Sequence, residues 1–422
     1  MTNQNNALLT FREYCNMKMT FLYSSYHNYL DFSSGAAVSM REVLLELARS
    51  GVRVRALCGD FFDTREVGER QYLLMLKAMG VQGWVQEKRV TINASTLTAR
   101  VVSFNDSGIE AATFFVDDAL REHSGRLSSH PTSRALDLVY LRLFLDELTR
   151  SRPKYYATYG GYALAPILAA EASKQGVTPV FFLHNAQYRN RKLFDRFPTI
   201  ITPSQFLRRF YQNTIGRDSV VLTPIIDEST VIAKNNSRRF VTLVNPTVSK
   251  GLYPFVSIAR AINRLHPNVE FLLVEGRDSA RQRADIPEAR ELRNIFRMPS
   301  VREPREFYSQ TRALIMPSLC DEAFGRVAVE AALNRIPILC STRGALPEII
   351  AEPSALLELP PGFSAHTKRL PSEKDVKPWI ERILELWQNE SQARELGDRL
   401  AAHAEKYRQK ESAQRTREFF NA

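Results

Sequence analysis

Residues 317–331 read Pro317-Ser318-Leu319-Cys320-Asp321-Glu322-Ala323-Phe324-Gly325-Arg326-Val327-Ala328-Val329-Glu330-Ala331. The apolar run Ala313–Met316 before them suits a buried strand, and from Arg326 the apolar spacing turns helical, so the stretch reads as strand, loop and helix start. Gly325 permits close backbone approach, and the free N–H groups of the first helical turn form an anion seat suited to a diphosphate. Glu322 stands just before the helix, in reach of a neutral polyol such as a sugar ring. Glu330, a little over one turn in, can accept two hydrogen bonds from vicinal ribose hydroxyls if it faces the ligand.

The same alternation of strand and helix continues on both sides. Downstream of Phe240, strands are predicted at Val241–Val244, Glu270–Val274, Ile295–Met298, Ala313–Met316, Ile338–Cys340 and Leu356–Glu358, with helices at Tyr253–Leu265, Glu303–Gln310, Arg326–Leu333 and Asp375–Trp387. Upstream, strands are predicted at Phe21–Tyr23, Arg53–Leu57, Val101–Phe104, Tyr155–Thr158, Val180–Leu183 and Ile200–Thr202, with helices between them. Such alternation predicts βαβ units around parallel sheets buried on both faces. Val90–Ile92, Ala99–Phe104 and Ala111–Val116 follow one another as strands, which predicts some antiparallel pairing there. Pro224-Ile225-Ile226-Asp227 and Lys234-Asn235-Asn236-Ser237 mark a linker. The organisation predicted is α/β: two Rossmann-like, doubly wound domains over residues 1–225 and 226–400, facing each other across a cleft. The tail from Ala393 to Phe420 reads as mostly helical, interrupted at Gly397, and residues 401–422 form a closing helical segment.

Composition narrows the function classes. The 422 residues are 24% charged and 10% aromatic, which excludes wholesale disorder, and the length suits two or three domains. No stretch approaches the roughly 18–20 apolar residues of a bilayer span. The polar start Met1–Asn6 has no secretory pattern, and the four cysteines have no CxxC spacing, so neither a zinc site nor a disulfide scaffold is indicated. A cytoplasmic location is predicted. Net charge is +11, and seven basic residues (Arg189, Arg191, Lys192, Arg196, Arg208, Arg209, Arg217) fall between 189 and 217 against Asp195 alone. That run is a solvated helix face by default. It favours an anionic acceptor or a peripheral contact with anionic lipid.

On the glutamate pair of 322 and 330, with Phe324-Gly325 between, the sequence resembles the retaining nucleotide-sugar glycosyltransferases of family 4, whose fold is GT-B and whose signature is E-x7-E. Thr342-Arg343-Gly344-Ala345-Leu346-Pro347-Glu348 resembles the family's next loop, and Ser249-Lys250-Gly251 the loop bearing its diphosphate lysine. Phe182-Leu183-His184-Asn185 is similar to the strand end that carries an active-site histidine. Ser33-Ser34-Gly35-Ala36-Ala37 is similar to the glycine-rich loop after the first strand. The resemblance implies that Glu322 contacts the donor sugar, Glu330 the ribose and Lys250 the diphosphate. Amides around Ala323, Phe324 and Gly325 would hold sugar and phosphate, His184 would lie under the transferred sugar, and Gly35 would let the first loop approach the phosphates. Tyr159, Gly160 and Asn185 are the candidates for the acceptor side. The chain departs from the family at Val244-Asn245-Pro246, where Gly-Arg is usual. Asn245 stands where a second diphosphate cation is expected, and Arg277 is the candidate substitute. In GT-B enzymes the last helix crosses back onto the first domain, and the length of the tail suits that.

The function implied is retaining, front-face transfer of a sugar, a hexose by expectation, from a nucleoside-diphosphate sugar. A UDP-sugar is favoured over a GDP-sugar, and the acceptor is a saccharide, a lipid-linked carrier, a small metabolite or a peptide. No DxD-like pair stands at a matched strand end, and Lys250 plus a helix N-terminus can carry the charge of a leaving diphosphate, so no metal and no further cofactor are expected. Two other readings stay open. One is a pseudo-glycosyltransferase or related GT-B coupling enzyme; the other is a nucleic-acid-binding protein using the basic surface, which steep salt dependence would reveal.

Overall fold

The computed structural model describes residues 19–63, 67–92, 95–116, 134–276, 286 and 288–422. Two sheets divide them. The first contains β1 (Thr20–His27), β2 (Arg53–Phe61), β3 (Gly83–Ile92), β4 (Ser95–Asp106), β5 (Ile109–Val116), β6 (Tyr155–Thr158), β7 (Thr178–Phe182), β8 (Thr199–Thr202) and β9 (Val220–Val221). Its order is β3-β4-β5-β2-β1-β6-β7-β8-β9. The second contains β10 (Phe240–Val244), β11 (Glu270–Val274), β12 (Ile295–Met298), β13 (Thr311–Met316) and β14 (Ile338–Cys340), in the order β12-β11-β10-β13-β14. All pairings of the second sheet are parallel. In the first, only β3–β4 and β4–β5 run antiparallel. The turn between β4 and β5 puts both Ser107 and Gly108 at positive φ, as a two-residue hairpin needs.

Strands such as β10, Phe-Val-Thr-Leu-Val, are apolar on both faces because helices cover both sides of the sheet. In the first domain these include α1 (Gly35–Arg49), α2 (Glu69–Ala78), α3 (Arg134–Ser151), α4 (Ala165–Lys174) and α5 (Gln205–Ile215). In the second they include α6 (Leu252–Leu265), α7 (Arg326–Leu333), α8 (Leu346–Ile350), α9 (Glu373–Gln388) and α10 (Glu390–Ala404). Two apolar clusters flank the first sheet, and a single large one surrounds the second. The predicted strand at Leu356–Glu358 is reduced to one bridge, Cys340 to Leu356. Pro353 before it and Pro360-Pro361 after it leave too little regular backbone for a ladder.

Gly397 does not interrupt the tail. It lies inside α10, where a Cβ would stand 2.3 Å from the Arg335 carbonyl oxygen, so glycine is there to let the helix approach that backbone. The break comes at Arg408, whose extended ψ of 154° redirects the chain into α11 (Gln409–Phe420). That last helix lies on the first sheet's side. The Phe420 ring meets Phe21 and Tyr155 edge-on at 5.1 and 5.2 Å, Arg417 pairs with Glu46 of α1, and Ser412 Oγ is 3.0 Å from Thr223 Oγ1.

Candidate active site between the two sheets

In an open parallel sheet, ligands bind beyond the carboxyl ends of the strands where the strand order reverses. The order reverses between β10 and β13 in the second sheet and between β1 and β6 in the first. The first pair of ends carries Asn245–Gly251 and residues 317–325. The second carries His27–Gly35 and Tyr159–Gly161.

Three loops of the second domain press together. Gly251, at φ +85°, has the Pro317 carbonyl oxygen 1.9 Å from where a Cβ would be, and the amides of Leu319 and Cys320 donate to the Ser249 oxygen. Gly344, at φ +66°, would put a Cβ 2.2 Å from the Glu322 amide nitrogen, and Ala345 N donates to the Glu322 carbonyl at 2.8 Å. Only glycine fits either position. The result is a polar knot: Lys250 Nζ donates to both Glu322 carboxylate oxygens at 2.8 and 2.6 Å, and Ser318 Oγ donates to Glu322 Oε1 at 2.7 Å. Burial works to lower the Lys250 pKa, but the adjacent Glu322 carboxylate outweighs it, so the ammonium is held charged. Gly325, at φ +89°, turns the chain into α7.

Glu330 is buried in the first turns of α7. Tyr308 donates to its Oε2 at 3.0 Å, and Arg326 Nε lies 3.3 Å from its Oε1. Phe324 is packed edge-on against Tyr407 at 5.5 Å, so its side chain serves the core. The Ala323 carbonyl accepts from Ser204 Oγ at 2.6 Å, across the cleft. Asn245 takes the left-handed conformation, φ +55°, and its buried Oδ1 has no hydrogen-bond partner among the described residues. Arg277 lies outside the described residues.

On the opposite side, His184 follows β7 and packs edge-on against Tyr159, ring centroids 5.3 Å apart. Burial, then the charges of Arg326 and His27, push its pKa down to about 3, so the ring is neutral at any working pH. Its Nε2 is buried without a partner among the described residues. Asn185 is engaged locally, its carbonyl by Tyr211 OH at 2.6 Å and its Oδ1 by the Gln187 amide at 3.0 Å. Gly160 turns the chain at φ +95° after β6. Gly35 opens α1 with room beside it: a Cβ there would stand 4.0 Å from Arg326 Cδ.

Some residues of this crevice escape sequence reasoning. Tyr159 OH is 2.9 Å from His27 Nδ1, and His27 Nε2 is 2.9 Å from Asp31 Oδ2. The available signal was a histidine ending the first strand with an aspartate four residues on. His27, Asp31 and Asp63 offer ligand atoms within 4.8 Å of one another, as a cation site would. Asp31, however, already accepts from Ser33 N, Ser33 Oγ, Asp63 N and His27 Nε2, which uses both its oxygens to order the loop. Glu348 was also unassigned. Its carboxylate accepts from the amides of Gln205 and Phe206 at 2.9 and 2.7 Å, capping α5 from the other domain.

Residues 227–406 match the family model described as glycosyl transferases group 1. The lipopolysaccharide 1,2-N-acetylglucosaminetransferase of Salmonella typhimurium is 24% identical over 204 residues, 41% of this chain and 51% of that protein. The chain thus spans about half the length of this curated relative. Among solved structures, sucrose-phosphate synthase from Thermosynechococcus elongatus is similar with a TM-score of 0.67 at 13% identity, covering 96% of this chain and 98% of that one. HepE of Anabaena, in complex with UDP and glucose, follows at 0.63 and 14%, covering 96% and 99%. The catalytic domain of starch synthase IV from Arabidopsis thaliana, bound to ADP and acarbose, scores 0.62 at 12%, covering 94% and 99%. The fold is GT-B, two α/β domains built on largely parallel sheets, and the match to the glycosyl transferases group 1 model lies over the second of them. No helix of the described residues is long and apolar enough to cross a membrane.

Proposed function

We propose that this chain is a retaining, metal-independent glycosyltransferase of family 4 that moves a hexosyl group from a nucleoside-diphosphate sugar to an acceptor held by the first domain. The observation that carries the reading is the Lys250–Glu322–Ser318 knot, built where three glycine-shaped loops meet at the strand-order reversal. Glu322 offers its carboxylate to sugar hydroxyls, and Lys250 faces the leaving diphosphate together with the amides that open α7. Sugar transfer breaks the anomeric C–O bond while negative charge grows on the diphosphate, and fixed cations and amide dipoles aimed there lower the barrier. They do so without a metal ion. In front-face transfer the acceptor oxygen attacks from the side the diphosphate leaves, and the departing phosphate takes the acceptor's proton. His184, held neutral, cannot act as a charged acid; it lines the sugar's underside.

Glu330 accepts the ribose hydroxyls once the contact from Arg326 yields. Tyr159, Gly160 and Asn185 border the acceptor side, whose substrate is a saccharide, a lipid-linked carrier, a small metabolite or a peptide. The relative complexed with UDP supports a UDP-sugar as first choice and the one bound to ADP keeps the base open; a GDP-sugar is the further alternative. A cytoplasmic location, with contact to anionic lipid through the basic run at 189–217, accords with this chemistry.

The test is a thermal-shift screen of the purified protein with UDP, GDP, ADP and their glucose, N-acetylglucosamine and mannose derivatives, with and without EDTA. A ligand at a hundred times its dissociation constant adds roughly 2.7 kcal/mol to stability. A shift from one nucleotide that EDTA leaves intact and Lys250→Ala abolishes supports the reading. No shift with any of them sinks it.

A further inference from the structure

Lys250 is already matched. Both Glu322 oxygens share its ammonium, so the pair is close to neutral, while a departing nucleoside diphosphate bears several negative charges. A second cation stands at the same crevice. Arg326 is the first residue of α7, and its side chain is 13% exposed. Its Nη1 donates to Ser39 Oγ at 3.2 Å and to the Ile225 carbonyl at 3.0 Å, and its Nε lies 3.3 Å from Glu330 Oε1. The aliphatic stem runs past Gly35, and the charge is felt at the His184 ring. Thus the start of α1, the linker backbone at Ile225 and the Glu330 carboxylate all meet one guanidinium.

We propose that Arg326 is the second cation of the diphosphate site, supplying the charge that Asn245 does not. The inference rests on the donor-site reading above. Without a ligand, the guanidinium is parked on Ser39, Ile225 and Glu330. When a nucleoside diphosphate enters, the fork turns to the phosphate oxygens, where charge-assisted and bidentate bonds replace a contact of 3.3 Å and two bonds to neutral acceptors. The same movement frees Glu330 Oε1 for a ribose hydroxyl, so ribose and diphosphate recognition are coupled through this one side chain.

A purely structural arginine, tying the two domains through Ser39 and Ile225, would affect every ligand alike. The experiment therefore compares UDP with uridine, by calorimetry and displacement, in wild-type protein and in Arg326→Gln, Arg326→Lys and Ser39→Ala; GDP or ADP and their nucleosides replace them if the screen selects another base. Losing a charge-assisted phosphate contact should weaken diphosphate binding about 10- to 100-fold in Arg326→Gln and change uridine affinity less than about threefold. Arg326→Lys should recover part of the loss, because a point charge remains without the fork. Ser39→Ala should leave the UDP-to-uridine ratio unchanged. If Arg326→Gln does not fold, the ratio in Arg326→Lys decides, with a fall of about threefold or more expected. A wild type that binds UDP, with an unchanged ratio in the arginine variants, overturns the inference alone. A wild type that binds no nucleoside diphosphate overturns the donor-site reading and this inference together.

Discussion

Replacing Lys250 by alanine separates what this side chain does for stability from what it does for the reaction. In the folded protein the Glu322 side chain is 7% exposed and that of Lys250 32%. Breaking a fully buried ion pair costs about 3–5 kcal/mol, because the remaining charge is left in a poor solvent. The Lys250 end is partly hydrated, which screens the pair and brings the expected loss down to about 2 kcal/mol in Lys250→Ala. Urea denaturation reads this directly. Adding Glu322→Gln removes the orphaned charge, and the amide oxygen still accepts from Ser318 Oγ, so the double variant should regain most of the lost stability. Activity behaves otherwise. Losing the cation at the departing diphosphate should lower kcat by about 10²- to 10³-fold, equivalent to about 3–4 kcal/mol of transition-state stabilisation. The double variant should recover none of it. The assay is coupled detection of nucleoside diphosphate released from the sugar nucleotide selected by thermal shift, with water as acceptor until a better one is found. Turnover of Lys250→Ala within threefold of wild type would refute the role in charge stabilisation. A double variant no more stable than Lys250→Ala would refute the argument from the buried carboxylate.

Further outcomes can be stated more briefly. Burial pushes the Glu42 carboxyl up to about 7 from an ordinary 4.5, with the Arg326 charge opposing, Asp227 adding, and Arg41 and Arg49 opposing. A carboxyl whose folded pKa is raised contributes stability that is fully present below about pH 4.5 and is lost as pH rises through about 7. Glu42→Gln should therefore flatten stability over that window and raise it at pH 8, by at most about 3 kcal/mol in urea melts; equal pH profiles for both proteins would contradict this. His184 should show no titration between pH 5 and 8 by ring NMR, and His184→Ala should lower kcat while keeping the shape of the pH–rate profile. A ring titrating near its ordinary value would show that its surroundings do not hold it neutral. Gly251→Ala sets a Cβ against the Pro317 carbonyl at a positive φ, so it should destabilise the second domain by about 2 kcal/mol or more and weaken nucleotide binding in calorimetry.

Much of the second domain was legible because its chemistry and its fold share one short stretch of chain. The limits of β11, β12, β14 and α7 match those read from the sequence, since each is a short run between clear turn residues; β11 and β14 are buried, while β12 is the sheet's half-exposed edge. The closing tail was read less well. Gly397 suggested a helix break by propensity, yet the approach of the Arg335 backbone gives that glycine a packing reason inside α10. Leu356–Glu358 has strand composition but lies between prolines, and pairing rather than composition decides whether a strand forms.

By itself, the sequence determined the βα repetition, the two largely parallel sheets with antiparallel pairing in the first, and the loop–helix element with glutamates eight residues apart, because these depend on periodicity and on local backbone freedom at glycine. Tertiary structure alone decided what those side chains touch. Lys250 and Glu322 are 72 residues apart, and they meet because the loops after β10 and β13 emerge side by side at the reversal of strand order. Glu348 capping α5, and Arg326 lying between Ser39, Ile225 and Glu330, require one domain to face the other. Neither arrangement leaves a local signal, since hydrogen bonds and charge act over a few ångströms in space whatever the separation along the chain.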